Sequence, residues 1–298
     1  RKILLNGEQI RLRGFNRHET HPQFGCALPV EAMMTDLEIL SDLGCNFVRT
    51  CHYPNDMRFL DLCDELGFFV WEESHARALP FDQPKFREQI LANTREMVEW
   101  HVNRPSIVKW GCLNECESET KRGRKVYAEV LGLMKKLDPS RPVTFASNRS
   151  ARDICLDLVD IVSWNRYPAW YGGGPENVAG DLKAMLDWLH SDKSGTKGKP
   201  VILSEFGAGA IYGCRSATRA KWTEEYQFDA LDAHLEVYLN HRDVSGVAIW
   251  QFCDCRVTEG WWRSRPRTYN NNGVVDEYRR PKLAYETVKR HMRAANKK

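Results

Sequence analysis

The sequence predicts an α/β fold, a (β/α)8 TIM barrel with a short N-terminal β-hairpin. Short β-branched or aromatic runs alternate with longer stretches of helical period along the chain, a pattern typical of parallel strands joined by crossover helices. Eight strand candidates can be counted, as many as such a barrel needs. The chain has 298 residues, 42% of them hydrophobic, so it can bury one large core.

The elements are predicted in chain order. Residues 1–9, with Leu-Asn-Gly-Glu at their centre, predict a hairpin that covers the bottom of the barrel. Strands are expected near 10–16, 46–51, 68–73, 107–114, 142–147, 159–166, 200–205 and 245–251. Apolar residues at helical spacing predict helices over 30–43, 56–66, 86–103, 123–137, 180–190, 219–240 and 282–293. The connection between the fifth and sixth strands is short, so its helix is expected to be a stub.

Charge and hydropathy exclude several classes of partner. The formal net charge is +3 and no block of like charges occurs, so neither a nucleic-acid partner nor a membrane surface is expected. We find no run of 18 apolar residues and no charged-then-apolar leader. The ten cysteines show no paired spacing and several lie within apolar runs, which indicates buried thiols in a reducing compartment. These features predict a cytoplasmic protein.

Two glutamates end separate strand candidates. The run W-G-C-L-N-E ends at Asn114 and Glu115, and the run V-I-L-S-E ends at Glu205. In a parallel barrel the C-terminal strand ends meet at one rim, so both carboxylates are expected to face one cavity. Two such carboxylates are the minimum apparatus of retaining glycoside hydrolysis. Aromatic and polar residues also gather at the other strand ends, as in a sugar pocket.

Five motifs carry a specific resemblance. The strings R-G-F-N-R-H-E, H-Y-P-N, W-G-C-L-N-E, N-R-Y and S-E-F-G occur in this order, and together they resemble the catalytic domain of glycoside hydrolase family 2, the family of β-galactosidases and β-glucuronidases. The likeness extends to R-R-P-K-L-A at 279–284, and W-T-E-E-Y-Q at 222–227 is more similar to the β-glucuronidase branch. It implies one catalytic barrel over 1–298, without the two β-sandwich domains that usually precede it. It implies no cofactor, a carbohydrate substrate, and leaves homo-oligomer formation open.

The resemblance also implies roles for individual residues. Glu205 corresponds to the nucleophile and Glu115 to the acid/base, and a retaining mechanism requires their carboxyl groups about 5 to 5.5 Å apart. Asn114 is expected to contact the sugar 2-hydroxyl, Tyr167 to donate to Glu205, and Arg49 to orient a carboxylate. The remaining expected substrate-binding residues are His18, His52, Asn165, Tyr171, Asn270 and, as the stacking floor, Trp250. Structural alternatives stay open: a buried ion pair for Arg49, loop packing for Tyr171, and core hydrogen bonds for Tyr167 and the histidines.

Two departures bear on the substrate and on metals. The stretch after strand three reads S-H-A-R-A-L instead of a metal-binding E-T-H motif, and Cys253-Asp254-Cys255 has no second cysteine pair, so no metal site is expected. At the place of the N-x-K motif that grips glucuronides stand Asn270, Asn271, Asn272 and Gly273.

The missing lysine makes a neutral sugar, and so a β-galactosidase, the main prediction. A β-uronidase, acting on glucuronides or galacturonides, is the first alternative if Arg263, Arg265 or Arg267 holds the carboxylate; the other reading of these arginines is a solvated loop. Two further alternatives are a non-catalytic carbohydrate-binding barrel and a metal-dependent hydrolase, although the latter lacks clustered ligand spacing.

Overall fold

The computed structural model describes residues 2–83, 85–257 and 265–296. A parallel sheet curls into a nearly closed barrel behind a small antiparallel hairpin. The hairpin strands are β1 (Ile3–Leu5) and β2 (Glu8–Ile10). The barrel strands are β3 (Leu12–Arg17), β4 (Phe47–Thr50), β5 (Phe69–Glu73), β6 (Ile107–Gly111), β7 (Val143–Thr144), β8 (Ala146–Ser147), β9 (Val162–Asn165), β10 (Val201–Glu205) and β11 (Val244–Ile249).

The nine barrel strands occupy eight positions in the barrel, because β7 and β8 are two segments of one strand that is interrupted at Phe145. The sheet order is β7-β6-β5-β4-β3-β11-β10-β9-β8, and every neighbouring pair is parallel. Since β7 pairs with β6 and β8 pairs with β9, this interrupted strand connects the two edges of the sheet. The predicted barrel and its N-terminal hairpin are confirmed.

Seven α-helices of the described chain follow the alternation expected from the sequence. They are α1 (Val30–Asp42), α2 (Met57–Leu66), α3 (Phe86–His101), α4 (Lys121–Leu137), α5 (Val178–Leu189), α6 (Glu224–Asn240) and α7 (Ala284–Ala295). Between β8 and β9 lie only two 3₁₀ turns, Ser150–Arg152 and Leu156–Leu158, so the expected stub is found there. Among the described residues, we see no helix both long and apolar enough to cross a membrane.

Helix α6 begins five residues later than the predicted start at residue 219. The hydroxyl of Thr223 accepts a hydrogen bond from the backbone N–H of Tyr226 at 3.2 Å and thereby caps the first turn. Residues before this cap, including Lys221 and Trp222, therefore belong to a loop at the rim of the barrel. The sequence boundary was wrong because apolar spacing continues through the loop into the helix.

The hydrophobic core has two parts. The larger part lies between the strands and the surrounding helices. A smaller cluster fills the lower barrel interior with Phe47, Trp71 and Ile202 among its members, and Ile3 and Ile10 of the hairpin pack against it. The hairpin therefore covers the bottom of the barrel. None of the ten cysteines forms a disulfide, and seven of them are buried, which confirms their interpretation as small core residues.

Candidate active site

Both glutamates line one cavity of about 650 Å³ at the C-terminal ends of the strands. Glu205 is the last residue of β10, and Glu115 follows β6 by four residues. Asn165, which ends β9, lies opposite Glu205 in the strand register and donates from Nδ2 to Oε1 of Glu115 at 2.9 Å. Strand pairing therefore brings the two carboxylates to the same opening, as the barrel register predicts.

Glu205 accepts two strong hydrogen bonds. Arg49 Nη1 donates to its Oε1 at 2.9 Å, and the Tyr167 hydroxyl donates to its Oε2 at 2.7 Å. Burial and the neighbouring Glu115 carboxylate raise the pKa of Glu205 to about 7, although the bonds from Arg49 and Tyr167 lower it. Burial, followed by the charge of Glu205, raises the pKa of Tyr167 well above its usual value, so its phenol keeps the proton that it donates. The two donors favour the ionised form of Glu205.

Arg49 is fully buried beneath the cavity and forms hydrogen bonds with several site residues. Its guanidinium makes a bidentate pair with Glu73 at 2.9 to 3.1 Å and also donates to Asn16 and Asn114 at 2.9 and 2.8 Å. A planar fork with five N–H donors matches this set of acceptors, whereas a lysine would not. The Arg49 side chain thus holds Glu205 and Asn114 in one arrangement and contacts the carboxylate of Glu205.

Asn114 presents an unused donor to the site. Its Oδ1 accepts from Arg49 at 2.8 Å and from Asn165 at 3.3 Å, which fixes the orientation of the amide. Its Nδ2 is buried and has no hydrogen-bond partner within the described chain. Leaving a buried amide donor without a partner costs about 1 to 3 kcal/mol of folding free energy. A hydroxyl of a bound ligand could accept this hydrogen bond. This geometry fits the contact expected for Asn114.

Trp250 forms a wall of the cavity, and two histidines pack against it. The His52 ring stacks on the indole with centroids 5.2 Å apart, and His18 meets it edge-on at 5.4 Å. Burial, reinforced by the charge of Arg49, lowers the pKa of His52 well below its usual value, so the ring is neutral at pH 7. Its Nδ1 lies 2.9 Å from Glu73 and 3.3 Å from Arg49 Nη2. We assign the ring proton to Nδ1 because the Glu73 carboxylate is the nearer group, which leaves the buried, unpartnered Nε2 as an acceptor.

The glycine of S-E-F-G lets the Trp250 strand approach. Gly207 has φ of +147°, and a Cβ there would lie 2.6 Å from the Trp250 carbonyl oxygen. The backbone N–H of Trp250 donates to the Phe206 carbonyl at 2.8 Å in the same contact. A side chain at position 207 would therefore displace the backbone of Trp250, whose indole lines the cavity.

The structure brings most of the predicted site residues together. Asn165, Tyr167, Tyr171, Trp250 and Asn270 line the cavity with the two glutamates. His18 lines an adjacent cavity of about 300 Å³ that shares Trp250 and Asn270. Three predicted residues do not line either cavity but lie directly behind it, in contact with Glu205, Trp250 and Asn165 respectively: Arg49, His52 and Asn114.

The loop at the place of the N-x-K motif is clamped from below. Lys282, fully buried, pairs with Asp254 at 2.8 Å and donates to the Asn271 carbonyl at 3.0 Å. A Cβ on Gly273 would lie 2.3 Å from the Asp254 backbone nitrogen, so the loop has no room for a larger residue there. Asn272 is 1% exposed. Only Asn270 of this loop therefore faces the cavity, and any cation for a ligand must come from elsewhere.

Arginines supply that charge. Arg265 lines the cavity and donates to the Tyr171 hydroxyl at 3.3 Å, whereas Arg267 is paired with Glu277 at 2.5 Å. Arg263 lies outside the described residues. Arg77, which lies in the S-H-A-R-A-L stretch after strand β5, also lines the cavity. Arg77 and Arg265 thus both line the cavity, and neither forms an ion pair with a carboxylate of the described chain.

Glu73 and Asn16 are further residues that sequence reasoning missed. Glu73 bonds both Arg49 and His52, and Asn16 accepts from Arg49. Glu73 ends the strand predicted at 68–73, and Asn16 lies in the motif R-G-F-N-R-H-E. Both residues could have been recognised as site residues because they are polar within predicted barrel strands. A buried carboxylate at a strand end needs a buried cation as its partner.

One group of possible metal donors lies at the site within the described chain: His18, Cys51 and His52, with ligand atoms within 4.8 Å of one another. Burial raises the pKa of the Cys51 thiol well above its usual value, so the thiolate that a metal needs is disfavoured. His52 Nδ1 is engaged by Glu73. These donors suit a metal poorly.

Known proteins share this architecture. The family model described as "Glycosyl hydrolases family 2, TIM barrel domain" matches residues 1–296. A solved β-galacturonidase of this family from Eisenbergiella tayi, bound to galacturonate, is 53% identical with a TM-score of 0.96, covering 98% of this chain and 52% of that one. A β-glucuronidase from Ruminococcus gnavus, in complex with D-glucuronic acid, is 30% identical with a TM-score of 0.90, covering 98% of this chain and 51% of that one.

A curated relative, the β-glucuronidase of Sus scrofa, is 30% identical over 305 residues, which are 99% of this chain and 46% of that protein. The chain thus spans about half the length of the relatives that it matches. These relatives favour the β-uronidase alternative over the β-galactosidase prediction. From its motifs, its barrel and the match over nearly all its residues, the chain belongs to glycoside hydrolase family 2 and provides the TIM barrel domain of that family.

Proposed function

We propose that the protein is a retaining exo-β-uronidase and that its preferred glycone is β-galacturonate. The observation that carries the proposal is that Arg77 and Arg265, which form no ion pair with a carboxylate of the described chain, line the cavity of the two glutamates. A neutral sugar would offer neither guanidinium an anion, whereas the carboxylate of a uronic acid binds a guanidinium by two parallel hydrogen bonds. The 53% identity to a β-galacturonidase, against 30% to β-glucuronidases, supports the galacto configuration.

The glycone is proposed to lie against Trp250, with its carboxylate towards Asn270. These two residues, together with Arg77 and Arg265, line both the cavity of the glutamates and the adjacent cavity at His18. For a ring placed on the indole, the proposed partners of the hydroxyl groups are His52 Nε2 and Asn114 Nδ2, which lie behind the cavity and have no hydrogen-bond partner in the described chain. The arginines thereby take the place of the lysine that the Asn270–Gly273 loop lacks.

The proposed chemistry proceeds in two steps. An oxygen of Glu205 attacks the anomeric carbon, the glycosidic C–O bond breaks, and the departing oxygen takes the proton of Glu115. A water molecule then gives a proton to Glu115 and attacks the anomeric carbon, which releases Glu205 and completes retention. Arg49 and Tyr167 stabilise the carboxylate of Glu205 before attack and after release. The unused Asn114 donor is placed to bind the 2-hydroxyl as positive charge develops on the ring.

The substrate proposal is tested with chromogenic β-galacturonide, β-glucuronide, β-galactoside and β-glucoside, using the full-length protein. Galacturonide is expected to give the highest kcat/KM. Changing Arg265 to Gln or Arg77 to Gln should lower kcat/KM for the uronides about 10- to 100-fold, because each change removes a hydrogen bond to a charged group. Galactoside turnover should change much less.

A matched control is Arg267→Gln, because Arg267 is tied to Glu277 and does not line the cavity. Faster turnover of galactoside than of both uronides by the unchanged protein would overturn the uronidase proposal and restore the β-galactosidase prediction. Turnover of no glycoside, with ligand binding intact, would favour the non-catalytic carbohydrate-binding barrel.

The hydrogen bond from Tyr167 predicts a change in pH dependence. Glu205 must be ionised to attack, so kcat/KM should fall as the pH drops below its pKa of about 7. Tyr167 donates to the charged form and lowers that pKa, so Tyr167→Phe should raise it and move the acid limb of the profile to higher pH. The maximal rate should fall about tenfold.

The control for this measurement is Tyr171→Phe. Its hydroxyl accepts from Arg265 and makes no hydrogen bond to Glu205, so the acid limb should stay where it is. An acid limb that is unmoved in Tyr167→Phe would show that the phenol does not govern the ionisation of Glu205.

A further inference from the structure

A third cavity, of about 530 Å³, opens beside the cavity of the two glutamates and is lined by Glu115 but not by Glu205. It shares Arg77, Tyr171 and Arg265 with the cavity of both glutamates, and it adds residues of its own: Trp170, Lys221 and Trp222. In the proposed reaction the leaving oxygen is on the side of the acid/base and away from the nucleophile. A cavity that reaches Glu115 alone is therefore placed to hold the leaving group.

The aromatic wall of this cavity is held in position. Trp170 is 7% exposed and meets the Trp222 ring edge-on, with centroids 4.8 Å apart. The Tyr226 hydroxyl donates to the Ala169 carbonyl at 2.6 Å and anchors the loop that carries Trp170. Lys221 Nζ donates to the Trp170 carbonyl at 2.7 Å, which fixes the ammonium beside the rings. Such a wall presents fixed apolar faces to a flat or sugar-like ring.

Positively charged residues outnumber acidic ones among the described residues that line this cavity. Three cations, Arg77, Lys221 and Arg265, line it among the described residues, and Glu115 is the acidic residue that they face. Lys221 forms no ion pair with a carboxylate in the described chain; its bond to the Trp170 carbonyl leaves two of its three N–H donors for a ligand. Cations gathered beside aromatic faces select a ring that carries an anion.

We propose that this cavity is a leaving-group site selective for a ring that bears a carboxylate, as a second uronic acid does, with Lys221 as a specificity-determining residue. The inference rests on the proposed function, since it takes Glu115 as the group that protonates the leaving oxygen. It adds that the natural substrate is acidic on both sides of the bond that is cleaved. Trp170, Tyr171 and Trp222 contact the ring, and Lys221 contacts its carboxylate.

The test compares two leaving groups of similar shape on one glycone, 3-carboxyumbelliferone and 4-methylumbelliferone. For each variant the ratio of kcat/KM for the carboxylated substrate to that for the neutral one is measured, so that intrinsic differences between the leaving groups cancel. Changing Lys221 to Met should lower this ratio about three- to fivefold, and Lys221→Glu should lower it further. Lys221→Arg should preserve it. Added salt should reduce the ratio in the unchanged protein.

Lys183→Glu is the matched control for net charge. Lys183 lies on α5, is paired with Asp187, and does not line the cavity. An unchanged ratio in Lys221→Glu, or an equal drop in Lys183→Glu, would overturn the inference. The ratio is measured on galacturonide and galactoside glycones alike, so a preference for galactoside would reject the uronidase proposal while the leaving-group ratio still decides this one.

Discussion

Glu205→Gln is expected to reduce turnover on the order of 10⁵-fold for every glycoside, because an amide cannot attack the anomeric carbon. The replacement has nearly the same shape and keeps an oxygen for the hydrogen bond from Arg49, so the fold and the binding of sugar should survive. Turnover is measured under single-turnover conditions, and binding of free galacturonate by calorimetry. Binding that persists while turnover vanishes is the expected pair of results.

The control for Glu205→Gln is Glu99→Gln, on the exposed face of α3, where Glu99 pairs with Arg95. Its rate should match that of the unchanged protein. If Glu205→Gln kept its rate within tenfold, Glu205 would not be the nucleophile and the two-step mechanism would have to be abandoned.

Glu115→Gln is expected to show a loss that depends on the leaving group. For leaving groups of high pKa the first step needs a proton, so kcat/KM should fall about 10²- to 10⁴-fold. For dinitrophenol, which departs as a stable anion, the first step should be nearly unaffected. The second step then becomes slow because no base activates water, and the glycosyl-enzyme should accumulate as a burst of released phenol.

Azide provides the complementary measurement for Glu115→Gln. As an anion it needs no base, so it should restore turnover and yield the β-glycosyl azide, the product of overall retention. An equal loss for all leaving groups, with no azide rescue, would assign Glu115 a structural role. The hydrogen bond between Asn165 and Glu115 would then be a packing contact.

Much of the site could be predicted from the sequence because it lies at strand ends. Glu115, Asn165 and Glu205 come at or just after apolar runs, and in a parallel barrel such positions share one rim. Family resemblance predicts Tyr167 and Arg49 beside Glu205, and in the structure both donate hydrogen bonds to its carboxylate. The buried partner of Arg49 was missed, since local patterns do not show which acid meets which cation.

The arginines illustrate what the sequence left open. Arg265 and Arg267 are two positions apart, yet one lines the cavity and the other pairs with Glu277. Arg77 reaches the same cavity from the loop after β5. The cavity proposed for the leaving group could not be predicted either. The apolar spacing predicts Lys221 and Trp222 in a helix, but that helix begins only at Glu224, so both residues belong to a loop at the rim.

The sequence by itself determined the barrel, its order of elements and the placement of both glutamates, because hydrophobic period and strand-end polarity are local properties of the chain. Only the tertiary structure decided which charges are paired and which face the cavity. Ion pairing depends on which loops from distant parts of the chain meet at the rim. A buried charge without a partner there costs folding free energy, so its position relative to an opposite charge matters. That distribution of charge, carried by Arg77, Arg265 and Lys221, is the basis of the substrate proposed here.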